Sequence, residues 1–482
     1  MATIIAERAH LGAMLLDVCH NGSVARVLPP DGEGRSVADA AQHGGESMTG
    51  DEIVELARRH TIFEWSAQAT VDPIPIARAE GVYFWTPEGQ RYIDFNSQLM
   101  CVNIGHGDRR VVDAIGEQAR KVSFASPSMA TESRARLGAK LAEISPGDID
   151  VFFFTNGGAE ANEHAIRIAR LVTGRHKILA RYRSYHGATA GALTLAGDPR
   201  RWASEPGIPG VVHVLDPYHG IARGWDSTER ALTTLEEVIQ LEGPQTIAAC
   251  ILETVTGTNG VLVPPDGYLA GVRALCDTYG ILLIADEVMT GFGRTGRWFA
   301  VDHWNVVPDL MTMAKGLTSA YVPLGAVGMR QSIADHFQTR PFPSGLTYSG
   351  HPVACAAALA AIGVLESDGL IEHAQRMGQV MAECHADLAR RHPSVGATRC
   401  IGLFGAIELV RDRAAHEPLA SFNGTSPEMQ ALAAFFRQEG LFTVVRWNYF
   451  FTNPPLSIDE VQLREAFGII DRGLELTDRA VR

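Results

Sequence analysis

The chain has no Cys-x-x-Cys pair, no excess of basic residues, no internal repeat and no low-complexity tract. It also has no stretch approaching the ~20 apolar residues of a membrane span. Each absence excludes something. The seven cysteines (Cys19, Cys101, Cys250, Cys276, Cys355, Cys384, Cys400) are scattered and odd in number, which excludes a disulfide framework and a zinc-type ligand set. They read as buried thiols of a reduced, cytoplasmic protein, and no metal site is expected. The net charge of −13 argues against nucleic acid or an anionic membrane as the main partner. The apolar piece at 11–18 is short and follows Glu7, so it makes a poor signal peptide.

What is present is an ordinary globular composition, 46% hydrophobic and 20% charged, in a chain long enough at 482 residues for two domains. Residues 1–47 stand apart. Pro29-Pro30-Asp31-Gly32 and His43-Gly44-Gly45 break any periodicity, and a poorly structured extension is expected there. Beyond Met48 a helical pattern begins with Ile53, Leu56 and Ala57. Thr86-Pro87-Glu88-Gly89 reads as the turn of a hairpin between Tyr83-Phe84-Trp85 and Tyr92-Ile93. Apolar runs at 151–154, 177–182, 211–215, 247–253, 281–286 and 324–329 then alternate with helical segments. One such helix carries Leu269, Val272 and Leu275 and stops at Tyr279-Gly280. This alternation predicts an α/β domain with a mainly parallel sheet. After about residue 365 longer helices and a few strands suggest a second, smaller domain.

Two apolar runs end in chemistry. Ile281-Leu282-Leu283-Ile284-Ala285 delivers Asp286, and Leu310-Met311-Thr312-Met313-Ala314 delivers Lys315 into a glycine turn. An amine that can capture an aldehyde and a carboxylate that can hold a pyridine nitrogen protonated are what a pyridoxal phosphate (PLP) site needs. Phe154-Thr155-Asn156-Gly157-Gly158-Ala159 ends a strand in two glycines and opens a helix, an anion cup of free N–H groups; by itself such a pair is often just a turn. Tyr185-His186-Gly187 offers an aromatic face and an imidazole, although a packed tyrosine and a hydrogen-bonded histidine are the commoner roles for such residues. Asp286-Glu287 would be an ordinary surface pair without its apolar lead-in.

Together these motifs, with Glu253, Gly257, Gly260 and the run from Asp286 to Gly296, resemble the class III (ω-type) aminotransferases of the fold-type I PLP enzymes. The resemblance runs from about residue 49 to the C-terminus. It implies a large PLP-binding domain at 96–365 with a mainly parallel seven-stranded sheet, and a smaller α+β domain built from 48–95 and 366–482. It implies that Lys315 and Asp286 are catalytic: Lys315 would bind the cofactor and shuttle a proton, and Asp286 would pair with the ring nitrogen. Gly158 and Ala159 would hold the phosphate, Tyr185 and Val288 would pack on the two ring faces, and His186 and Glu253 would adjoin the cofactor. Thr347 would reach the phosphate of a neighbouring subunit, which implies a homodimer or tetramer with the site at its interface.

Departures from the family pattern narrow the substrate. Ala159 stands where relatives often have serine. Met289 replaces a glutamine that partners a glutamate like Glu253, which leaves the role of Glu253 open. Thr258 stands where ornithine- and GABA-type members have a glutamate, and Phe451 where they have a carboxylate-binding arginine. Arg446 is the replacement arginine, against the bland alternative of a surface salt bridge. The stretch Phe95-Asn96-Ser97-Gln98-Leu99-Met100 resembles taurine–pyruvate aminotransferases, with Met100 as a pocket wall. The expected function is transfer of an amino group from an amine, ω-amino acid or taurine-like donor to pyruvate, in ping-pong fashion. The alternatives are an aminomutase or decarboxylating transaminase on the same scaffold and, more remotely, a non-catalytic PLP-binding regulator.

Overall fold

The apolar runs in the middle of the chain become one seven-stranded sheet in the computed structural model. The structure describes residues 48–218 and 227–481; the extension expected at 1–47 lies outside the described residues. The strands are β1 (Ile149–Thr155), β2 (Lys177–Arg181), β3 (Val211–Val214), β4 (Ile247–Glu253), β5 (Leu282–Asp286), β6 (Leu310–Met313) and β7 (Gly325–Arg330). Their order is β1-β7-β6-β5-β4-β2-β3. Pairing is parallel from β6 through β5, β4 and β2 to β3. Only β7 runs against both of its neighbours. The expectation of a mainly parallel seven-stranded α/β sheet is met.

The sequence explains why this sheet is covered on both faces. Every residue of β4 is buried, as a central parallel strand requires. Successive side chains alternate between faces. Ile178, Ala180, Ile251 and Ile284 pack with Ala161, Ala165 and Ile168 of helix α1 (Gly158–Thr173). The intervening Leu179, Cys250 and Leu283 pack with Leu269, Val272 and Cys276 of helix α2 (Tyr268–Tyr279). That second helix ends at Gly280 in the left-handed region (φ 59°), the stop expected from its glycine.

Flanking sheets complete the compact unit Gly50–Arg482. The hairpin expected around residues 86–89 forms, with Tyr83–Trp85 antiparallel to Arg91–Asp94 and Phe84 stacked on Tyr92 at 5.1 Å. Toward the C-terminus, strands Val395–Ile401, Phe404–Asp412, Val445–Arg446 and Tyr449–Thr452 form a further sheet. Helices Leu370–Arg391, Pro427–Gln438 and Glu460–Asp478 accompany it.

One arginine ties distant segments together. Arg294, fully buried, donates from Nη1 to the carbonyls of Leu403 (3.0 Å) and Pro454 (2.5 Å) and from Nη2 to Ser97 Oγ and Asn103 Oδ1 (2.9 Å each). Among the described residues no carboxylate bonds to it. Burial pushes its guanidinium down to about 10.

Candidate active site

Parallel strands bring their C-terminal ends to one edge of a sheet, where α/β proteins gather their ligands. Here that edge collects Asn156-Gly157-Gly158 after β1, Tyr185-His186 after β2, Glu253 on β4, Asp286 on β5 and Lys315 after β6. A cavity of about 470 Å³ opens there, within the usual range for a bound small molecule. Gly158, Ala159, Tyr185, His186, Glu253, Asp286, Val288 and Lys315 all line it. Thr347, Met100 and Arg446 are not among its lining residues.

Lys315 opens a short 3₁₀ turn, Lys315–Leu317, with φ 47°. A non-glycine residue there is strained, and such strain persists only where the surroundings impose it. Burial pushes its amine below the ordinary lysine value; the Arg200 charge acts the same way, while Cys101, Asp286 and Glu253 oppose it.

Asp286 is oriented by three donors. Oδ2 accepts from His186 Nδ1 (2.7 Å) and Asn162 Nδ2 (2.9 Å), and Oδ1 from the Val288 backbone N–H (3.0 Å). Asn162, one turn into α1, also donates to the His186 carbonyl (2.7 Å) and accepts from Thr312 Oγ1 (2.8 Å). It therefore binds α1, β5, β6 and the Tyr185 loop into one hydrogen-bonded cluster. Its role was not foreseen from the sequence. A fully buried asparagine on an alanine-rich helix face was the available signal.

Glu253, whose role the sequence left open, accepts from the backbone N–H of Tyr185 on Oε1 (2.9 Å) and of Gly257 on Oε2 (2.8 Å). It fixes the ring-bearing loop, and burial pushes its carboxyl up. Met289 fills the neighbouring space: a Cβ on Gly257 would lie 2.3 Å from its sulfur. Glu287 is no surface residue. It is fully buried and accepts from Thr254, Thr290 and the N–H groups of Ala300 and Val301.

Met100 is buried in an apolar cluster with Met289, Val255 and Phe451, so it backs the cavity wall through Met289. Thr347 is exposed in a loop whose Tyr348 and His351 border a second cavity; Asn156, Val322 and Pro323 line both cavities. Arg446 is half-buried and donates from Nη2 to Asp198 Oδ2 at 3.3 Å. Asp198 also holds Arg200, whose guanidinium lies 3.6 Å from the Tyr185 ring centroid. Neither Asp198 nor Arg200 stood out in the sequence, because their further partners Arg446 and Thr258 are far along the chain.

The aminotransferase class-III family profile matches residues 65–474. The chain belongs to the class III aminotransferases. It is 36% identical to a putrescine–pyruvate aminotransferase of Pseudomonas aeruginosa over 84% of this chain and 91% of that one. It is 34% identical to a taurine–pyruvate aminotransferase of Bilophila wadsworthia, over 77% and 84%. The solved structure of a taurine:2-oxoglutarate aminotransferase from Bifidobacterium kashiwanohense, with PLP and glutamate, matches with a TM-score of 0.87 and 41% identity, covering 90% of this chain and 99% of that one. The enzyme is thus a PLP-dependent aminotransferase, as the sequence motifs implied.

The residues fit PLP. The first N–H groups of α1, at Gly158 and Ala159, have no partner within the helix and suit a phosphate. A Cβ on Gly158 would meet Val288 Cγ1 at 2.8 Å, and one on Gly187 would meet Ala159 Cβ at 2.4 Å. Glycine at both positions therefore keeps the cradle open. Tyr185 and Val288 could supply ring faces, Asp286 a partner for the ring nitrogen, and Lys315 the amine.

Proposed function

We propose that this aminotransferase moves an amino group from an amine, ω-amino acid or taurine-like donor to pyruvate. The observation that carries the reading is the convergence of Lys315, Asp286 and the α1 N-terminus on one cavity, with Arg446 held close by through Asp198 and Arg200. When bound, PLP supplies an aldehyde that takes up amines and a ring that accepts electron density from the substrate carbon. The protein does the rest. Asp286, held by His186 and Asn162, would pair with the ring nitrogen and keep its proton in place. Lys315 Nζ, whose amine burial pushes below the ordinary lysine value, would hold the cofactor and then carry the proton to and from the substrate carbon. Tyr185 and Val288 hold the ring between them, and Arg446 takes the carboxylate of the keto acid, or a sulfonate, through its planar fork.

The absence of the ornithine- and GABA-type residues at Thr258 and Phe451 supports pyruvate as acceptor. The Bifidobacterium relative favours a second reading, with 2-oxoglutarate. A panel of acceptors against taurine, β-alanine, putrescine and an aryl amine separates the two. Turnover with pyruvate, and a KM for pyruvate that rises in Arg446→Ala far more than the KM for an aryl amine, supports the proposal. Turnover with 2-oxoglutarate alone refutes it. Turnover of the donor without any keto acid would instead indicate a mutase.

Our reading also includes a homodimer in the cytoplasm with Thr347 of one subunit near the cofactor phosphate of the other. Exposed Phe124, Met129 and Tyr348, with Phe124 edge-on to Tyr348 at 6.0 Å, support an interface beside that loop. The described cysteines are free, which suits a reducing compartment. Among the described residues no single helix is long and apolar enough to cross a membrane. An active monomer on dilution would refute the interface site.

A further inference from the structure

Around Asp198 the chain builds an ion triad that the aminotransferase chemistry described so far does not use. Asp198 is 1% exposed, and its carboxylate meets two guanidinium groups. Arg200 grips it firmly: Nε lies 3.1 Å from Oδ1 and 2.9 Å from Oδ2, and Nη2 donates as well. The backbone N–H of Arg200 adds a further bond to Oδ1 at 3.0 Å. Arg200 itself is fixed at its far end, donating from Nη2 to Thr258 Oγ1 at 2.8 Å and lying over Tyr185 at 3.6 Å. Arg446 is held differently. Its bond to Asp198 is single and long, 3.3 Å. Its Nε is buried and has no hydrogen-bond partner among the described residues.

The asymmetry matters. Two cations share one buried anion, so the triad carries one net positive charge. One cation is chelated and immobile; the other holds Asp198 by one long bond, lies over Trp447 at 4.4 Å and has a donor to spare. Thr258 stands where some class III members carry a glutamate, and here it serves as a strut for Arg200. The buried acid near Arg446 comes instead from the loop after the short helix Ala190–Leu195.

We propose that Asp198, clamped by Arg200, is the resting counterion of Arg446 and sets the balance between anionic and uncharged substrates. When an amine without an acidic group occupies the pocket, Arg446 stays on Asp198, which it shares with Arg200. When a keto acid, ω-amino acid or sulfonate enters, its anionic group competes with Asp198 for Arg446. Asp198 and Arg200 are positioning residues here, since neither touches the reacting atoms. The inference rests on Arg446 being the anion ligand.

The test is Asp198→Asn in the cofactor-loaded enzyme, with KM and kcat measured for pyruvate and for an aryl amine. Removing the competing charge should lower KM for pyruvate about fivefold, as expected for one lost charge-assisted contact, while KM for the aryl amine stays level or rises. A purely structural aspartate would raise both constants or depress kcat for both substrates, and that result overturns the proposal. Should Asp198→Asn fold poorly, Arg200→Lys supplies the second arm. It keeps the charge but breaks the chelate, leaving Asp198 freer to hold Arg446, and should shift the pyruvate-to-amine KM ratio the opposite way by a smaller factor. No shift in either variant overturns the inference. In an Arg446→Gln background, Asp198→Asn should leave KM for pyruvate unchanged; a fall persisting there overturns it too. If Arg446→Gln alone leaves KM for pyruvate untouched, the functional reading fails. If it raises that KM and Asp198→Asn does not change the ratio, only the present inference fails.

Discussion

Asn162→Ala tests the hydrogen-bonded cluster around Asp286 most directly. The side chain is fully buried and makes three hydrogen bonds: to the Asp286 carboxylate, to the His186 carbonyl and from Thr312 Oγ1. A bond to a charged group contributes about 1.5–3 kcal/mol and a neutral one about 1 kcal/mol. The variant should therefore lose ~3.5–5 kcal/mol of stability in a denaturant melt. The portion belonging to Asp286 should appear separately in cofactor binding. With His186 as the remaining side-chain donor, the carboxylate is less well aimed. The Kd for PLP, read from the visible absorbance of the bound cofactor, should rise about 10- to 100-fold. Thr312→Val provides the control. It removes the bond to Asn162 Oδ1 and leaves both donors of Asp286 in place. It should cost about 1–2 kcal/mol and shift the PLP Kd by less than about twofold. If Asn162→Ala binds PLP as tightly as the native chain, or if Thr312→Val weakens PLP to the same degree, the reasoning about Asp286 is wrong.

Three further outcomes follow from the same geometry. Because burial lowers the Lys315 amine, the rate at which the visible band appears on adding PLP to apoenzyme should rise with pH through an inflection below 10.5; an inflection at or above that value would contradict an amine lowered by burial, and Lys315→Ala should show neither band nor turnover. Burial pushes the His385 imidazole down to about 3 from 6.5, so the unfolded chain binds a proton there that the folded chain does not. Stability should fall as pH drops from 6.5 toward 3, by about 2 kcal/mol at about pH 5 from this group, and His385→Met should flatten that acid limb in melts compared at two pH values. Arg294→Met leaves the acceptors at Ser97, Asn103, Leu403 and Pro454 without their donor and should cost ~3–5 kcal/mol; a thermal midpoint unchanged from the native chain would show that the guanidinium contributes little.

The sequence made some parts of this site easy to read and hid others. Asp286 and Lys315 were legible because a buried strand that ends in a charge has few reasons to do so other than a site at the sheet edge. The Gly157-Gly158 helix start was legible because glycine there follows an apolar strand. The hairpin at residues 83–93 and the helix stop at Gly280 followed from local turn chemistry. Asn162, Asp198 and Arg200 were not apparent, because their bonds to Asp286, Arg446 and Thr258 join residues 58 to 248 apart in the chain, and no local pattern encodes such distances. Glu253 was visible but its role was not, since both of its partners are backbone N–H groups that any residue type supplies.

The Arg294 guanidinium, shared among four acceptors from separate stretches of chain, has a consequence for breathing motions. The loop that follows β5, the turn near Ser97 and the C-terminal sheet at Leu403 and Pro454 cannot loosen one at a time without stranding a cation inside the protein. Their amides should exchange with solvent deuterium as a single cooperative block, opening only at a cost close to that of losing the whole fold.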